Sequence, residues 1–293
     1  MASADWVRNG TGMAPRIAWA FATDSELVSL TMARESGEIF AIDSTGGLYE
    51  LARSGRVIGV NRGLHQPRIV KWSDNGEAGI VVEGADQVSV LLDHMRVAWT
   101  AGAPSTILDA DIDAYGHNIA LSLDHGETVL LNVDRHKLCQ FKTLKPLNFI
   151  AFSCGEPKLI GAAEHGLVCC HDFDGNELWS ERLWAAVGCL SVTGDSKRIF
   201  LAEFAHGLQC LDSRGQNLAA YVIEGTPSKV SASFFGERAA VTTIEQQIYW
   251  LDADGTLLWA ADCPSDIKTI ICDPLGEWLI LGLTSGRILK LDW

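Results

Sequence analysis

The sequence predicts an all-β fold of seven four-stranded antiparallel units closed into a ring, and three observations carry that prediction. First, the stretch Asp172-Phe173-Asp174-Gly175-Asn176-Glu177-Leu178-Trp179 returns as Asp252-Ala253-Asp254-Gly255-Thr256-Leu257-Leu258-Trp259, and stepping by 40 residues from Trp179 meets Trp19, Gly59, Trp99, Cys139, Ala219 and Trp259. A period in this range is the mark of stacked supersecondary repeats. Second, short apolar runs alternate at period two between turn signals, which is strand patterning. Third, the chain opens on a strand and ends one strand short of a full unit.

Taken in order, residues 1–14 share no column with the repeat and carry Gly10 and Gly12 just before Pro15. They read as a flexible arm, with Trp6 as its one adhesive residue, and removing residues 1–13 is expected to leave stability unchanged. Residues 15–293 read as a single domain. Arg16-Ile17-Ala18-Trp19-Ala20-Phe21 alternates at period two and aligns with Glu177-Leu178-Trp179-Ser180. Full units, with strands a to d, then begin near positions 25, 66, 105, 146, 186, 227 and 265. The last ends at Leu289-Lys290-Leu291-Asp292-Trp293, which matches strand c, so its strand d is the N-terminal one at about 16–22. Pairing the two chain ends in one sheet closes the ring and removes exposed edges.

The turns confirm the register. At the end of strand a the 40-residue step reads Ser73, Asp113, Ser153, Thr193, Ser233 and Asp273, residues whose side chains accept a hydrogen bond from the backbone two residues on; Gly76, Gly116, Gly236 and Gly276 follow. At the c–d turn Asn132, Asp172, Asp212 and Asp252 align, with Gly55, Gly175, Gly215 and Gly255 three places after that column. Along strand a, the columns through Val70 and Ile150 and through Trp72 and Phe152 are apolar and predict packing between units. The column between them, Thr31, Lys71, Asp111, Ala151, Ser191, Ser231 and Ile271, is mostly small or polar and predicts the border of a central channel.

These residues carry a resemblance. Units of about 40 residues, polar-plus-glycine turns and a wrapped terminal strand resemble a seven-bladed β-propeller. The motif Asp172-x-x-Gly175-x-x-x-Trp179 is similar to pyrroloquinoline-quinone-type repeats, and the turn Phe152-Ser153-Cys154-Gly155 is similar to WD repeats, although the Gly-His and Trp-Asp signatures of true WD repeats are absent where they belong. The resemblance spans about residues 16–293 and singles out no family within the superfamily. Adjacent Cys169 and Cys170 match a strained disulfide of quinone-dependent alcohol dehydrogenases in that superfamily. No calcium and quinone constellation accompanies them, and they read as buried thiols within strand c, with a bulge expected at the pair.

Composition narrows the function. The 293 residues hold 23 Lys+Arg against 37 Asp+Glu, a formal charge of −14, which disfavours a nucleic-acid binder as a whole-molecule reading. Residues 1–8 do not read as a secretory leader, and no run of apolar residues is long enough to span a membrane. The eight cysteines sit mostly in apolar runs, as reduced thiols do, and the expected compartment is cytoplasmic.

Three b–c turns read Asp124-His125-Gly126, Glu164-His165-Gly166 and Ala205-His206-Gly207. Neighbouring turns of this kind stand on the order of 11 Å apart given the strand spacing, whereas zinc needs its nitrogens at about 2 Å. The histidines therefore read as turn residues or as a histidine-lined face. Asp109 and Asp111 lie at the channel mouth with Lys71 and Lys229 as expected ionic counterparts. The d–a connections depart most from the repeat, and they place Arg62, Leu64, His65, Arg68, Lys142, Lys145, Arg182 and Trp184 on the same face as His125, His165 and His206. A basic face with apolar anchors suits a protein interface. No nucleophile elbow, phosphate-binding loop or metalloprotease motif is present.

The expectation is thus a non-catalytic scaffold that binds another protein or peptide through these loops, monomeric by itself and suited to a larger complex, with no cofactor, metal, nucleic acid or membrane. Two alternatives stand beside it: a lactonase-like or quinoprotein-like enzyme with its site at the channel mouth, and a cell-envelope assembly factor similar to the propeller lipoprotein of outer-membrane assembly.

Overall fold

A computed structural model describes residues 5–92 and 94–293. It is an all-β chain of seven four-stranded antiparallel blades forming a β-propeller. Residues 23–184 make one compact unit and residues 5–22 with 185–293 make another. The first unit holds blade 1 (Leu27–Ala33, Glu38–Asp43, Leu48–Leu51, Val57–Asn61), blade 2 (Pro67–Trp72, Ala78–Glu83, Gln87–Leu92, Arg96–Gly102), blade 3 (Ile107–Ile112, Asn118–Leu123, Glu127–Asn132, Lys137–Lys142) and blade 4 (Phe149–Phe152, Lys158–Ala163, Leu167–Asp172, Glu177–Glu181).

The second unit holds blade 5 (Val187–Val192, Arg198–Glu203, Gly207–Asp212, Asn217–Tyr221) and blade 6 (Pro227–Ala232, Arg238–Thr243, Gln247–Asp252, Leu257–Asp262). Blade 7 takes Ile267–Cys272, Trp278–Leu283 and Arg287–Asp292 from the C-terminal stretch and Arg16–Ala22 from the N-terminal one. The terminal strand pairs antiparallel with Arg287–Asp292, opposing Trp19 to Lys290, as the sequence predicts.

Turn chemistry holds the strands in phase. Asp172, Asp212 and Asp252 each accept two backbone N–H groups at the c–d turn through Oδ1, at 2.8 to 3.0 Å. Gly175, Gly215 and Gly255 take φ of 80° to 87° there, a region that costs a residue with a Cβ. Every d strand carries a bulge one residue before the 40-residue station, so Leu178 is skipped while Trp179 opposes Cys170. This corrects the bulge expected within strand c at Cys169-Cys170: strand c pairs with strand b without a break, and the extra residue, Leu178, lies in strand d.

The small polar column of strand a does more than border a channel. Ser29 Oγ accepts the Val70 N–H, Asp111 Oδ2 the Phe152 N–H, Ser191 Oγ the Ala232 N–H and Ser231 Oγ the Cys272 N–H, each across 41 residues and at 2.8 to 3.2 Å. Asp109 Oδ2 does the same for Ile150, at 2.8 Å. These side chains tie the inner strand of one blade to that of the next and satisfy N–H groups that face no strand of their own sheet.

The N-terminal segment corrects the expectation of a flexible arm for the residues described. Asp5–Arg8 form one helical turn, and Thr11–Gly12 add a fifth strand to blade 6 beside Leu257–Asp262. Val7 is 1 % exposed, within a cluster that includes Trp259, Trp250 and Leu289, and Trp6 lies 6.3 Å from the Trp259 ring. The physical reason is local to blade 6, whose outer strand leaves the large Trp259 side chain to be covered. Met1 to Ala4 of the expected arm lie outside the described residues.

Candidate functional site

In the first unit the d–a connections lie beside the b–c turns, joined by backbone hydrogen bonds such as Thr143 N–H to Gly126 O at 2.9 Å and Ala103 N–H to Asp86 O at 2.7 Å. Two of these connections meet at blade 4. A Cβ built on Gly166 would lie 3.4 Å from both Lys145 Nζ and the Leu183 carbonyl oxygen, so the loop segments 142–146 and 182–184 converge on the His165-Gly166 turn. Leu144 on the first loop is 99 % exposed and Trp184 on the second is 89 % exposed. They stand 40 residues apart, at the same station of the repeat. Lys142, Lys145 and Arg182 are exposed around them.

Four other residues of the predicted face are used differently. Leu64 is buried in a core cluster with Phe40, Trp72 and Val70, which corrects its reading as an exposed anchor: its loop folds inward under the blade 1 b–c turn, where Leu64 N–H reaches Gly46 O. The Arg68 guanidinium donates to the carbonyl oxygens of Gly84, Ala85 and Ile107, the last at 2.6 Å, and so staples the blade 2 turn to blade 3. Its donors satisfy carbonyls of the fold, which corrects its reading as a binding cation. Arg62 forms a forked pair with Asp24 at 2.7 and 2.9 Å. The His65 side chain is exposed, and the backbone N–H of His65 donates to Glu83 Oε2.

The histidines each engage a carboxylate of their own turn. His125 Nε2 lies 2.8 Å from Glu127 Oε2 and its Nδ1 2.8 Å from Ser105 Oγ; the Glu127 hydrogen bond, foremost, raises its pKa. His165 Nε2 is 3.8 Å from Glu164, and His206 Nδ1 is 3.2 Å from the buried Glu203. Gly126, Gly166 and Gly207 have φ between 77° and 86°, the turn role read from the sequence. Among the described residues no group of three or more His, Cys, Asp or Glu is placed to hold a metal ion.

At the channel mouth Lys71 Nζ stands 3.6 Å from Asp111 Oδ1, the ion pair the sequence suggests. Asp109 spends its oxygens on the N–H groups of Ile150 and Ala110 rather than on a lysine. Burial raises the pKa of both carboxyls, against the pull of Lys71. Lys229 belongs to the second unit, on blade 6, opposite Thr242. Beyond these, Arg34 donates to Asp74 Oδ1 at 2.6 Å and to Cys154 Sγ at 3.1 Å, a tie between blades 1, 2 and 4. Burial lifts the Cys154 thiol to about 11, so it stays protonated at neutral pH. Cys169 and Cys170 are buried free thiols, pushed up by burial to about 12 and about 11.

Sequence reasoning passed over two residues. Leu144 sits inside a loop chosen for its lysines. Glu50 was hidden in strand c of blade 1, although its column signals it: the residues opposing the seven stations are Glu50, Val90, Leu130, Cys170, Cys210, Trp250 and Lys290, and all are buried.

No family model matches the sequence, and no curated protein matches it significantly. Among solved structures, the fold is similar to the crystal structure of the Myceliophteria thermophila Cps50 (Swd1) β-propeller domain, with a TM-score of 0.83 and 14 % identity over 95 % of this chain and 99 % of that one. At that identity the likeness establishes the propeller fold. No helix among the described residues is long and apolar enough to cross a membrane.

Proposed function

We propose that the protein is a non-catalytic binding platform, taking an acidic polypeptide segment that carries large apolar residues onto the d–a loops of blades 3 and 4. The single observation that carries this reading is the pair Leu144 and Trp184, both almost fully exposed at equivalent stations on loops that converge at His165-Gly166. A solvated tryptophan buries a large apolar area when a partner covers it, and tryptophan is enriched among residues that dominate interface energies. Lys142, Lys145 and Arg182 make this corner locally basic on a chain of net charge −14, which orients an acidic partner and repels a basic one.

The channel-mouth enzyme reading has less support, because Asp109 and Asp111 already hold backbone N–H groups and Lys71. A soluble site of action in the cytoplasm, as one subunit of a larger complex, belongs to the same proposal. The test pairs Leu144→Ser with Trp184→Ser in the full chain. Both side chains are solvated, so melting is unchanged, and capture of the partner falls at least tenfold. Capture at the wild-type level overturns the reading.

A further inference from the structure

Glu50 breaks the repeat at a core position. Five of its six counterparts are apolar or thiol side chains, and the sixth, Lys290, is partnered: its Nζ lies 4.6 Å from the Trp278 ring and 3.5 Å from Asp292. The Glu50 side chain is 4 % exposed, and its Oε2 has no hydrogen-bond partner. The opposing station is Gly59, whose missing side chain leaves room filled by the carboxylate and by the methyl end of Met95. A buried carboxylate oxygen without a hydrogen-bond partner is costly enough to call for an explanation.

Glu50 lines a cavity of about 420 Å3 between blades 1 and 2, on the side of the a–b and c–d turns. Phe40, Trp72 and Leu92 form its apolar wall, with the Phe40 and Trp72 rings stacked at 3.7 Å and 5°. Glu38 and Glu77 stand at the same cavity, the first held by Ser36 and the second by Asn75. Among the described residues that line it, His94 is the one base; its Nδ1 is 3.6 Å from Glu50 Oε1 and its ring is mostly exposed. His94 and Met95 take φ of 58° and 65°, the region that glycine occupies three places into the equivalent turns. That turn sets Met95 beneath the carboxylate and the imidazole beside it.

We propose that this cavity is a binding site for an arginine side chain, whose guanidinium pairs with Glu50 and Glu38. The chemistry selects that class of ligand. Three carboxylates against one exposed imidazole ask for a cation, and among the described residues no set of three metal-ligating groups is placed to hold a metal ion. Carboxylates that reach the cavity from two blades suit a planar fork with five donors better than a compact ammonium, and the weakly hydrated guanidinium enters an apolar-walled cavity at smaller cost. Burial, and after it the neighbouring Glu38, raises the Glu50 pKa while His94 opposes this; an incoming cation reverses the imbalance. Binding therefore strengthens as pH rises through the range where Glu50 loses its proton, with Glu38, Glu77 and His94 as the other groups titrating at the cavity. This site does not depend on the Leu144 and Trp184 surface.

Only four methionines occur in the chain, so methyl-labelled methionine NMR isolates Met95 as a reporter. The full chain is titrated with N-acetyl-L-arginine methylamide, with the citrulline analogue as neutral isostere and the lysine analogue as ammonium. The expected result is a saturable Met95 shift with the arginine probe, at least tenfold weaker with the other two. Glu50→Gln is expected to remove it, and the rim variant Glu38→Gln to weaken it several-fold. The absence of a saturable shift overturns the proposal and leaves the orphan oxygen to an internal water. An equal response to citrulline, or a stronger one to lysine, also overturns it.

Discussion

The indole Nε1 of Trp259 donates to the carbonyl oxygen of Val7 at 3.3 Å, joining residues 252 positions apart. Val7 is fully buried by the contact, and the strand Thr11–Gly12 extends blade 6 directly after it. Removing residues 1–13 therefore exposes a tryptophan and forfeits a buried valine, at about 3 kcal/mol for the apolar burial and hydrogen bond together. Thermal melting is expected to fall by several degrees, and Val7→Asp to reproduce most of the loss by undocking the segment. A truncated chain that melts with the intact one contradicts the docking.

Arg68 is expected to matter for stability. Its guanidinium satisfies three carbonyl oxygens of two blades. Arg68→Ala leaves them short of donors and costs about 3 kcal/mol in denaturant unfolding, by the scale of hydrogen bonds to charged groups. Arg62→Ala, which opens only the solvated pair with Asp24, is expected to leave the unfolding midpoint nearly unchanged.

The Glu50 and Asp109 carboxyls give the stability a pH signature. Both have pKa values raised in the folded chain, chiefly by burial. A raised group holds its proton longer when folded, so its contribution is complete below the unfolded value and is lost as pH rises through the folded one. Glu50→Leu, which installs the residue type of Leu130 in the same column, is expected to raise the melting temperature at neutral pH and to flatten its fall above the ordinary carboxyl range. Asp109→Asn keeps an acceptor for the Ile150 N–H and is expected to be stable at neutral pH, whereas Asp109→Ala orphans that N–H and costs about 1 to 3 kcal/mol. Identical pH profiles for wild type and Glu50→Leu contradict the assignment.

The architecture was legible because repetition samples the same turn seven times, and the Asp172 and Asp252 turns need the same residues wherever they occur. The terminal strand was legible for the same reason, since Trp19 falls on the 40-residue station. What escaped depends on contacts that no column encodes. Val7 docks on one blade only, so no second copy announces it. Leu64 and Leu144 are both loop leucines with basic neighbours, and only the path of each loop decides that one is buried and the other solvated. Arg68 and Lys145 likewise share a charge but differ in what their heads reach. Glu50 was within reach of the sequence, as a carboxylate in a column of buried residues opposite the one station that is glycine.

The most direct test of the platform is site-specific crosslinking from its centre. A photoreactive phenylalanine analogue at position 184, with the same analogue at Tyr115 on an exposed a–b turn as control, is irradiated in native extract, and the crosslinked peptides are read by mass spectrometry. The account predicts one dominant adduct from position 184, to a segment rich in acidic and large apolar residues, reduced by Lys145→Glu and by high salt, with none from position 115. Crosslinks from position 115 with none from 184, or a basic segment at 184, would contradict it.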